Sequence, residues 1–564
     1  MMEIDGLLND CSSSDNCMEI DQYVVEWVHL TDNIWIDILG YLDVKSLLNA
    51  SESCSRLNEI ISSSSMLIDK INVAFKFPAM PTDRSLAKID KLIENSSALT
   101  RRYRNLTIFR LRDNYLHHAH RTKSEFMEFN TRLSETIQNL KIVDCSVLRD
   151  DFVALLQPYV NLKECTFARI MFSDEIVPTD SYVNTLKCSN LKKLMLSRCD
   201  FFCLLLFKSH TNVNNFEMYS NYTDDENFLL ENIESLKIYD PEYARPDVQE
   251  FENFLLKFKK LKELKMKNFR FNSTYSSDRL SSVPFQLEVL TLNNVKWDIF
   301  SFCEKFLKSQ KNLKELKLIG LSEWVRSNDP QTLLSFTGIL HHLLTKNLQL
   351  TSFQISTKYM KSTENIKDNE FNTEFVNNQM IDLTYIKCKD DKSDLLKIFT
   401  RLFPKIKKFR FECKELNSTQ FKDIKVLKDL ESLDITISPE SLGNILFNFP
   451  ALTTFKFMAL SEKKSLEQLT QFFKFNNTIK SVWLNIEPLT FDEIIGMLMP
   501  LAYSLESLTI SDLHLNVNEA QLFVSNFPHL RQLYSDLEPK QDALDVLSNA
   551  SIIVKKVPTV NIIC

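Results

Sequence analysis

The sequence is poor in glycine and lacks the clustered motifs that support catalysis. Its six glycines are scattered over 564 residues, whereas a phosphate-binding loop needs several close together so that backbone N–H groups can approach the anion. No His-Glu-x-x-His, Gly-x-Ser-x-Gly or Cys-x-x-Cys motif occurs, which excludes the common signatures of metalloproteases, serine hydrolases and zinc sites. We therefore expect a binding protein with no catalytic residue, no cofactor and no bound metal.

The chain also lacks paired cysteines and long apolar runs. Twelve scattered cysteines fit a reducing compartment better than a disulfide framework. The longest apolar run, residues 201–207, has seven residues, far short of the roughly 18 that a membrane span needs. The N-terminus has no basic segment followed by an apolar one, so no secretory signal is predicted. We expect a cytoplasmic or nuclear protein that does not enter a membrane.

The charge of the chain is mildly acidic and unevenly distributed. A net charge of −7 argues against bulk electrostatic binding to nucleic acid or to an anionic membrane. The first 44 residues hold ten acidic residues and no Lys or Arg. Because part of this stretch is also serine-rich, we predict a disordered acidic lead over residues 1–24.

Residues 30–61 predict a small helical module. Their apolar residues recur at helical spacing, and Asp43 and Ser46 divide the stretch into short helices. Such a module has too few apolar residues to bury a core alone. We therefore expect it to dock on another protein or on the domain that follows.

The helical module resembles an F-box, the adaptor that ties a substrate receptor to the Skp1 subunit of a ubiquitin ligase. Its ordered landmarks are Leu30, the run Ile38-Leu39-Gly40-Tyr41-Leu42-Asp43, the pair Leu47-Leu48, and Cys54-Ser55-Arg56. Thr31 replaces the proline, and Leu57 the tryptophan, that are usual in this family, although Thr31 or Asp32 can cap the first helix. We predict an F-box at residues 25–70. The resemblance implies that Skp1 is bound through Leu30, Ile34, Ile38, Leu39, Leu42, Leu47, Leu48 and Leu57.

One pattern, apolar-x-x-apolar-x-apolar, returns through the rest of the chain. Copies begin at residues 137, 162, 191, 213, 233, 261, 287, 313, 350, 380, 406, 430, 452, 479, 505 and 530. Their mean spacing of about 26 residues resembles that of leucine-rich repeats. In each copy the alternating apolar residues predict a strand, and the segment before the next copy a helix. We predict an α/β fold: an N-terminal all-helical F-box, then a leucine-rich-repeat horseshoe solenoid of about 16 degenerate repeats.

The repeat spacing sets the expected domain limits. A linker or helical connection is predicted over residues 71–100, and the leucine-rich repeats over residues 101–560. The copies at 313 and 350 lie 37 residues apart, and a polar stretch near residues 356–379 interrupts the pattern. This insertion is interpreted either as a tolerated surface loop or as part of the binding face.

The predicted strands place one column of side chains outward on the concave sheet. Among the fourteen residues between the last two apolar positions of each clear copy, six are basic and two acidic. This column is either an ordinary soluble strand face, whose lysines pair with neighbouring glutamates, or a surface for an acidic or phosphorylated target. The candidate target-binding residues are Lys237, Lys265, Lys317, Arg410, Lys456, Trp483, Tyr219 and Tyr239, the aromatic ones as interface anchors.

The resemblance covers most of the chain and implies a function. It implies the substrate-recognition subunit of a Skp1–cullin–F-box E3 ubiquitin ligase, which binds Skp1, through it cullin, and a protein target of unknown identity. The same modules also fit a leucine-rich-repeat scaffold, Skp1-bound or Skp1-independent, with no role in degradation. Under either interpretation the chain is a non-catalytic adaptor that binds neither nucleic acid nor membrane.

Overall fold

A computed structural model shows two compact units, one formed by Met1–Ala244 with Leu256–Leu261 and the other by Arg245–Leu255 with Lys262–Cys564. The structure describes residues 30–77, 102–113, 120–174, 186–199, 202–207, 210–219, 232–239, 248–268, 282–295, 306–307, 309–320, 349–356, 376–386, 395–413, 424–437, 446–459, 466–486, 489–511, 513–535 and 539–556. Within these ranges, no helix combines the length and apolar character needed to cross a bilayer.

The first unit begins with four short helices, α1 (Asp32–Gly40), α2 (Val44–Ser53), α3 (Ser55–Ser63) and α4 (Ser65–Ile68). Asp43 caps α2 because its Oδ1 accepts a hydrogen bond from the Ser46 N–H at 2.7 Å, which lowers the pKa of Asp43. Thr31 precedes α1 without a side-chain cap bond. The helices enclose a small apolar interior formed by Leu39, Leu47, Ile60, Ile61, Leu67 and Ile68.

Seven parallel strands follow among the described residues of the first unit. They are β1 (Asn72–Lys76), β2 (Asn105–Phe109), β3 (Asn139–Val147), β4 (Glu164–Phe172), β5 (Lys193–Ser197), β6 (Asn215–Tyr219) and β7 (Ser235–Tyr239), with helices α5 (His120–Ser134), α6 (Arg149–Leu156) and α7 (Phe202–Leu205). Each strand from β1 to β6 pairs in parallel with the next one along the chain. This order is that of stacked repeats, each of which buries its apolar face against its neighbours.

The described residues of the second unit form twelve parallel strands, again paired in chain order. They are β8 (Glu263–Lys267), β9 (Val289–Asn293), β10 (Glu315–Ile319), β11 (Ser352–Ser356), β12 (Asp382–Ile386), β13 (Lys408–Glu412), β14 (Ser432–Ile437), β15 (Thr454–Ala459), β16 (Ser481–Asn485), β17 (Ser507–Ile510), β18 (Gln532–Ser535) and β19 (Ile553–Lys556). The described helices are α8 (Val248–Leu256), α9 (Leu395–Leu402), α10 (Leu466–Phe475), α11 (Phe491–Leu498), α12 (Val517–Asn526) and α13 (Gln541–Asn549), with a 3₁₀ turn at Met499–Leu501.

Aromatic side chains fill the layer between strands and helices. Phe455 on β15 stacks on Phe472 of α10 with ring centroids 4.5 Å apart. Phe399 of α9 packs edge-on against both Phe353 and Tyr385, at 5.6 and 5.5 Å. Large rings in this layer supply the apolar area that short strands lack.

The repeat prediction is confirmed, because each of the sixteen copies coincides with one strand from β3 to β18. The sheet begins earlier than the pattern suggested. β1 lies inside the range predicted as a linker and pairs with β2, although Lys70 stands where a repeat would carry its first apolar residue. The predicted acidic lead and residues 357–375 of the predicted insertion lie outside the described residues.

Candidate functional site

The first helix of the F-box module presents an apolar surface to solvent. Ile34 and Ile38 are 44% and 42% exposed, and Tyr41, just after α1, is 91% exposed. Ile34 and Ile38 are four residues apart and therefore share one face of the helix. Contiguous exposed apolar side chains of this kind mark interaction surfaces.

The structure divides the predicted Skp1-binding residues into two groups. Leu39 and Leu47 are buried in the module's interior, at 2% and 0% exposure, and hold its helices together. The others remain reachable from solvent wholly or in part: Ile34, Ile38, Leu30, Leu42, Leu48 and Leu57. Contact of these residues with Skp1 stays a prediction.

Polar contacts fix the helical module to the first repeats. The Lys70 ammonium donates a hydrogen bond to the Gly40 carbonyl, and Arg104 pairs with Asp69 at 3.3 Å. The Asn105 side-chain amide donates to the Asp69 carbonyl at 2.9 Å. Because α4 leads into β1 after only three residues, the module and the first strands form one continuous structure.

A polar cavity of about 670 Å³ lies where α3 and α4 meet the first repeats. Its lining includes Glu59, Glu135, Arg102 and Lys163. Its lining carries both acidic and basic groups, so its charge selects no single class of ligand.

Strand pairing places the predicted outward column in one register. In the first unit it runs Lys141, Thr166, Met195, Glu217 and Lys237. In the second it runs Lys265, Thr291, Lys317, Gln354, Thr384, Arg410, Asp434, Lys456, Trp483 and Thr509. In every case the residues on either side along the strand are buried, as two-residue alternation requires. The register prediction is confirmed, whereas binding of a target by this column stays a prediction.

Most of the candidate basic residues pair with carboxylates. Lys237 lies 3.8 Å from Glu217, and Lys317 lies 2.5 Å from Glu315. Two further pairs join Lys265 to Glu263 and Arg410 to Asp434. Such part-exposed pairs contribute little stability, but they compensate much of the column's positive charge. The geometry therefore favours the interpretation of this column as a soluble strand face.

Two half-buried carboxylates lie among these basic residues in the second unit. Burial raises the pKa of Asp382, an effect that Lys408 and Lys317 oppose. Burial likewise raises the pKa of Asp434 against the opposing charge of Arg410 and Lys456. Sequence reasoning missed Asp382 because it lies beside the outward column, in the weakest copy of the repeat.

The three aromatic candidates for target binding lie at different positions on their strands. Trp483 projects outward from β16 between buried Val482 and Leu484, with Lys456 and Thr509 beside it on the neighbouring strands. Tyr239 is half-buried at the end of β7. The side chain of Tyr219 lies outside the described part of the structure. Trp483 is also half-buried, so exposure does not separate it from Tyr239.

Comparison with known proteins identifies the helical module. The F-box domain model matches residues 27–69, which confirms the predicted F-box. No group of three His, Cys, Asp or Glu side chains that could hold a metal ion occurs among the described residues. A comparison with curated proteins finds no match.

The solved structures to which the chain is similar are distant in sequence. TLR13, in a structure titled as its complex with ssRNA13, is 14% identical with a TM-score of 0.50, and the match covers 86% of this chain and 65% of the TLR13 chain. LegL7, a leucine-rich-repeat-containing protein from Legionella pneumophila, is 13% identical over 49% of this chain and 93% of its own, with a TM-score of 0.32. The Rad7–Elc1 structure from yeast is 12% identical over 93% of this chain and 95% of that chain, with a TM-score of 0.30.

The F-box match and the repeat fold together define the class of protein. The chain carries an F-box domain followed by a leucine-rich-repeat fold of mixed α/β type, an arrangement typical of non-catalytic adaptors, and no catalytic family is indicated. The chain spans about two-thirds of the length of the TLR13 chain. At 14% identity, that likeness concerns the fold alone.

Proposed function

We propose that this chain is the substrate-recognition subunit of a Skp1–cullin–F-box E3 ubiquitin ligase, acting in the cytosol or nucleus. The observation that supports it most directly is the exposed apolar face of α1, Ile34 and Ile38 with Tyr41, on a domain that matches the F-box model. Burying such a face against a partner is favourable by about 25 cal/mol per Å². Skp1 is the partner that an F-box implies.

In this proposal the F-box and the repeats have separate tasks. The F-box binds Skp1 and through it cullin, and the Lys70, Arg104 and Asn105 contacts fix its position on the first strands. The repeats hold a protein target. The chain supplies no catalytic group; it raises the effective concentration of target lysines near a separately recruited conjugating enzyme.

Binding to purified Skp1 tests the first half of the proposal. Replacing both Ile34 and Ile38 by serine should weaken binding by about 100-fold, since each half-exposed isoleucine buried at an interface contributes on the order of 1–2 kcal/mol. The matched control is Leu522→Ser on α12, which removes a 51% exposed side chain outside the F-box. Both variants should melt like the wild type. A folded wild-type chain that fails to bind Skp1 would refute the proposal.

The same variants separate a degradation receptor from a scaffold. Proteins captured by the repeats are identified by proximity labelling in cells. Under the receptor function, the Ile34→Ser/Ile38→Ser variant keeps these interactors bound but lengthens the half-life of at least one of them. If every captured interactor keeps an unchanged half-life, the chain is a scaffold with no role in degradation.

A further inference from the structure

In four consecutive repeats of the first unit, those of β2, β3, β4 and β5, one residue adopts a left-handed backbone just after the core of the strand. These residues are Arg110, Asp144, Arg169 and Arg198, with φ between 52° and 59°. The residues directly before them pair strand to strand: Phe109 with Val143, Val143 with Ala168, and Ala168 with Ser197. The four therefore occupy one repeat position on consecutive strands, which lie about 4.8 Å apart.

The repeats of β8, β9 and β10 in the second unit fill the same repeat position with other residue types. Asn268, Asn294 and Gly320 stand there, with φ of 55°, 52° and 70°. Glycine and asparagine enter the left-handed region at the least steric cost, and the Asn294 amide also donates to the Asn268 Oδ1 at 3.0 Å. Arginine has no comparable steric tolerance of the left-handed backbone. Residues kept in costly backbone conformations concentrate at functional sites.

Several guanidinium groups in the first unit gather around one carboxylate. Asp144 lies 3.7 Å from the Nε of Arg110, 3.8 Å from the Nε of Arg169 and 3.5 Å from an Nη of Arg112. Arg198 follows in the next repeat and is exposed. These separations exceed the 2.7–2.9 Å of a charge-assisted hydrogen bond, so Asp144 holds the arginines near one another without saturating their N–H donors.

The neighbouring carboxylate is already engaged. Asp113 accepts a hydrogen bond from the Leu148 N–H at 2.7 Å and another from the Ser173 hydroxyl. Arg110 and Arg169 each keep 55% of their side-chain surface exposed. The patch is therefore accessible and positive within a chain whose net charge is negative.

We propose that Arg110, Arg112, Arg169 and Arg198, here termed the arginine cluster, bind a phosphate monoester on a phosphorylated segment of a target protein. Arginine matches phosphate because its planar fork donates two parallel hydrogen bonds, and clusters of arginine are a recurring means of reading phosphorylated motifs. The proposed function supplies the role of the bound protein as a ligase target, but phosphate binding itself does not depend on it. A nucleic acid would need positive charge along many phosphates, which this compact patch does not supply.

The test uses the full-length chain and three fluorescent probes. They are an extended serine-rich peptide with one phosphoserine, the same peptide with glutamate in its place, and a single-stranded RNA oligonucleotide. The wild type should bind the phosphoserine peptide at least about tenfold tighter than the glutamate peptide, because the phosphate carries up to twice the charge of a carboxylate and offers three acceptor oxygens to the guanidinium groups. Equal affinity for the two peptides, or tighter binding of RNA with a steeper salt dependence, would overturn the proposal.

The decisive variant is Arg110→Asn/Arg169→Asn/Arg198→Asn, which installs the residue that the second unit uses. It should weaken phosphopeptide binding by at least about 100-fold while its melting temperature stays equal or rises, because asparagine tolerates the left-handed backbone better. The matched control is Lys265→Asn/Lys317→Asn/Lys456→Asn, which removes the same charge from the outward column and should bind as the wild type does.

The results for the two variants and for Skp1 binding each support or overturn the phosphate site. If the arginine variant keeps its affinity, or the lysine variant loses it, the arginine cluster is not the phosphate site. Skp1 binding is measured on the same samples and should be unchanged in the arginine variant. If the wild type binds phosphopeptide but not Skp1, the proposed ligase function fails while the phosphate site stands.

Discussion

Replacing Asn476 by alanine should destabilise the second unit locally by about 2–5 kcal/mol. Asn476 follows α10, is 1% exposed, and links that helix to the preceding repeat. Its Oδ1 accepts a hydrogen bond from the Phe449 N–H at 2.7 Å. Its side-chain nitrogen donates to the carbonyls of Phe447 and Phe472, both at 2.9 Å.

The magnitude follows from what each partner loses. The Phe449 N–H is buried, and a buried donor without an acceptor costs about 1–3 kcal/mol. The two donated bonds contribute about 0.5–1.5 kcal/mol each. The loss at Phe472 is the milder one, because its carbonyl still accepts the backbone N–H of Asn476 at 3.0 Å.

Hydrogen exchange read by mass spectrometry is the suitable assay, because repeat proteins open region by region. A loss of about 2–5 kcal/mol should accelerate exchange in residues 446–459 at least about 30-fold, with little change in the F-box module. The matched control is Asn526→Ala at the end of α12. Asn526 makes the same bond to a carbonyl four residues earlier, at 2.8 Å, but in an exposed setting. Equal effects of the two substitutions would refute the argument from burial.

Three further substitutions should shift the thermal unfolding midpoint. Gly320→Ala should lower the free energy of unfolding by about 1–3 kcal/mol, because φ is +70° there and the new Cβ would lie 3.0 Å from a backbone nitrogen. Its control is Gly496→Ala in helix α11, where the new Cβ meets nothing within 4 Å. This control should raise the free energy of unfolding by about 0.5–1 kcal/mol. Arg149→Met should lower the free energy of unfolding by about 1–3 kcal/mol, because it leaves Asp174 without the buried guanidinium that lies 3.0 Å away. Asp434→Asn should stabilise the protein at pH 7 and leave stability unchanged at pH 3: burial raises the folded-state pKa of that carboxyl, so ionisation above this pKa penalises the folded state. Melting curves of the Asp434→Asn variant at both pH values test this prediction, and a loss of stability at pH 7 would contradict it.

The repeat fold could be predicted from sequence because two-residue alternation is a local signal. Leu316 and Leu318 are buried, whereas Lys317 between them faces outward, and one register serves every strand. Even the weak copy at Leu383 and Tyr385 forms β12 with both side chains buried. Packing between neighbouring repeats tolerates a degenerate pattern as long as these two inward positions stay apolar.

Two features needed the three-dimensional pairing. β1 carries a basic residue where its repeat would begin, so it is recognisable only through its pairing with β2. The arginine cluster is equally invisible in sequence, because Arg110 and Arg198 are 88 positions apart and share no motif. They come to the same repeat position on nearby strands only when the strands stack in order.

Charge composition along the chain and charge arrangement in space point to different surfaces for the same reason. The outward column was the richest basic feature of the sequence, yet Lys237, Lys265 and Lys317 each have a glutamate partner. An anionic ligand there must displace one carboxylate for every ammonium group it gains. At the arginine cluster several guanidinium groups share Asp144, so the same ligand gains more attraction for each carboxylate displaced. The ratio of cations to carboxylates in space, rather than their count along the chain, therefore favours the first unit as the site for a phosphorylated target.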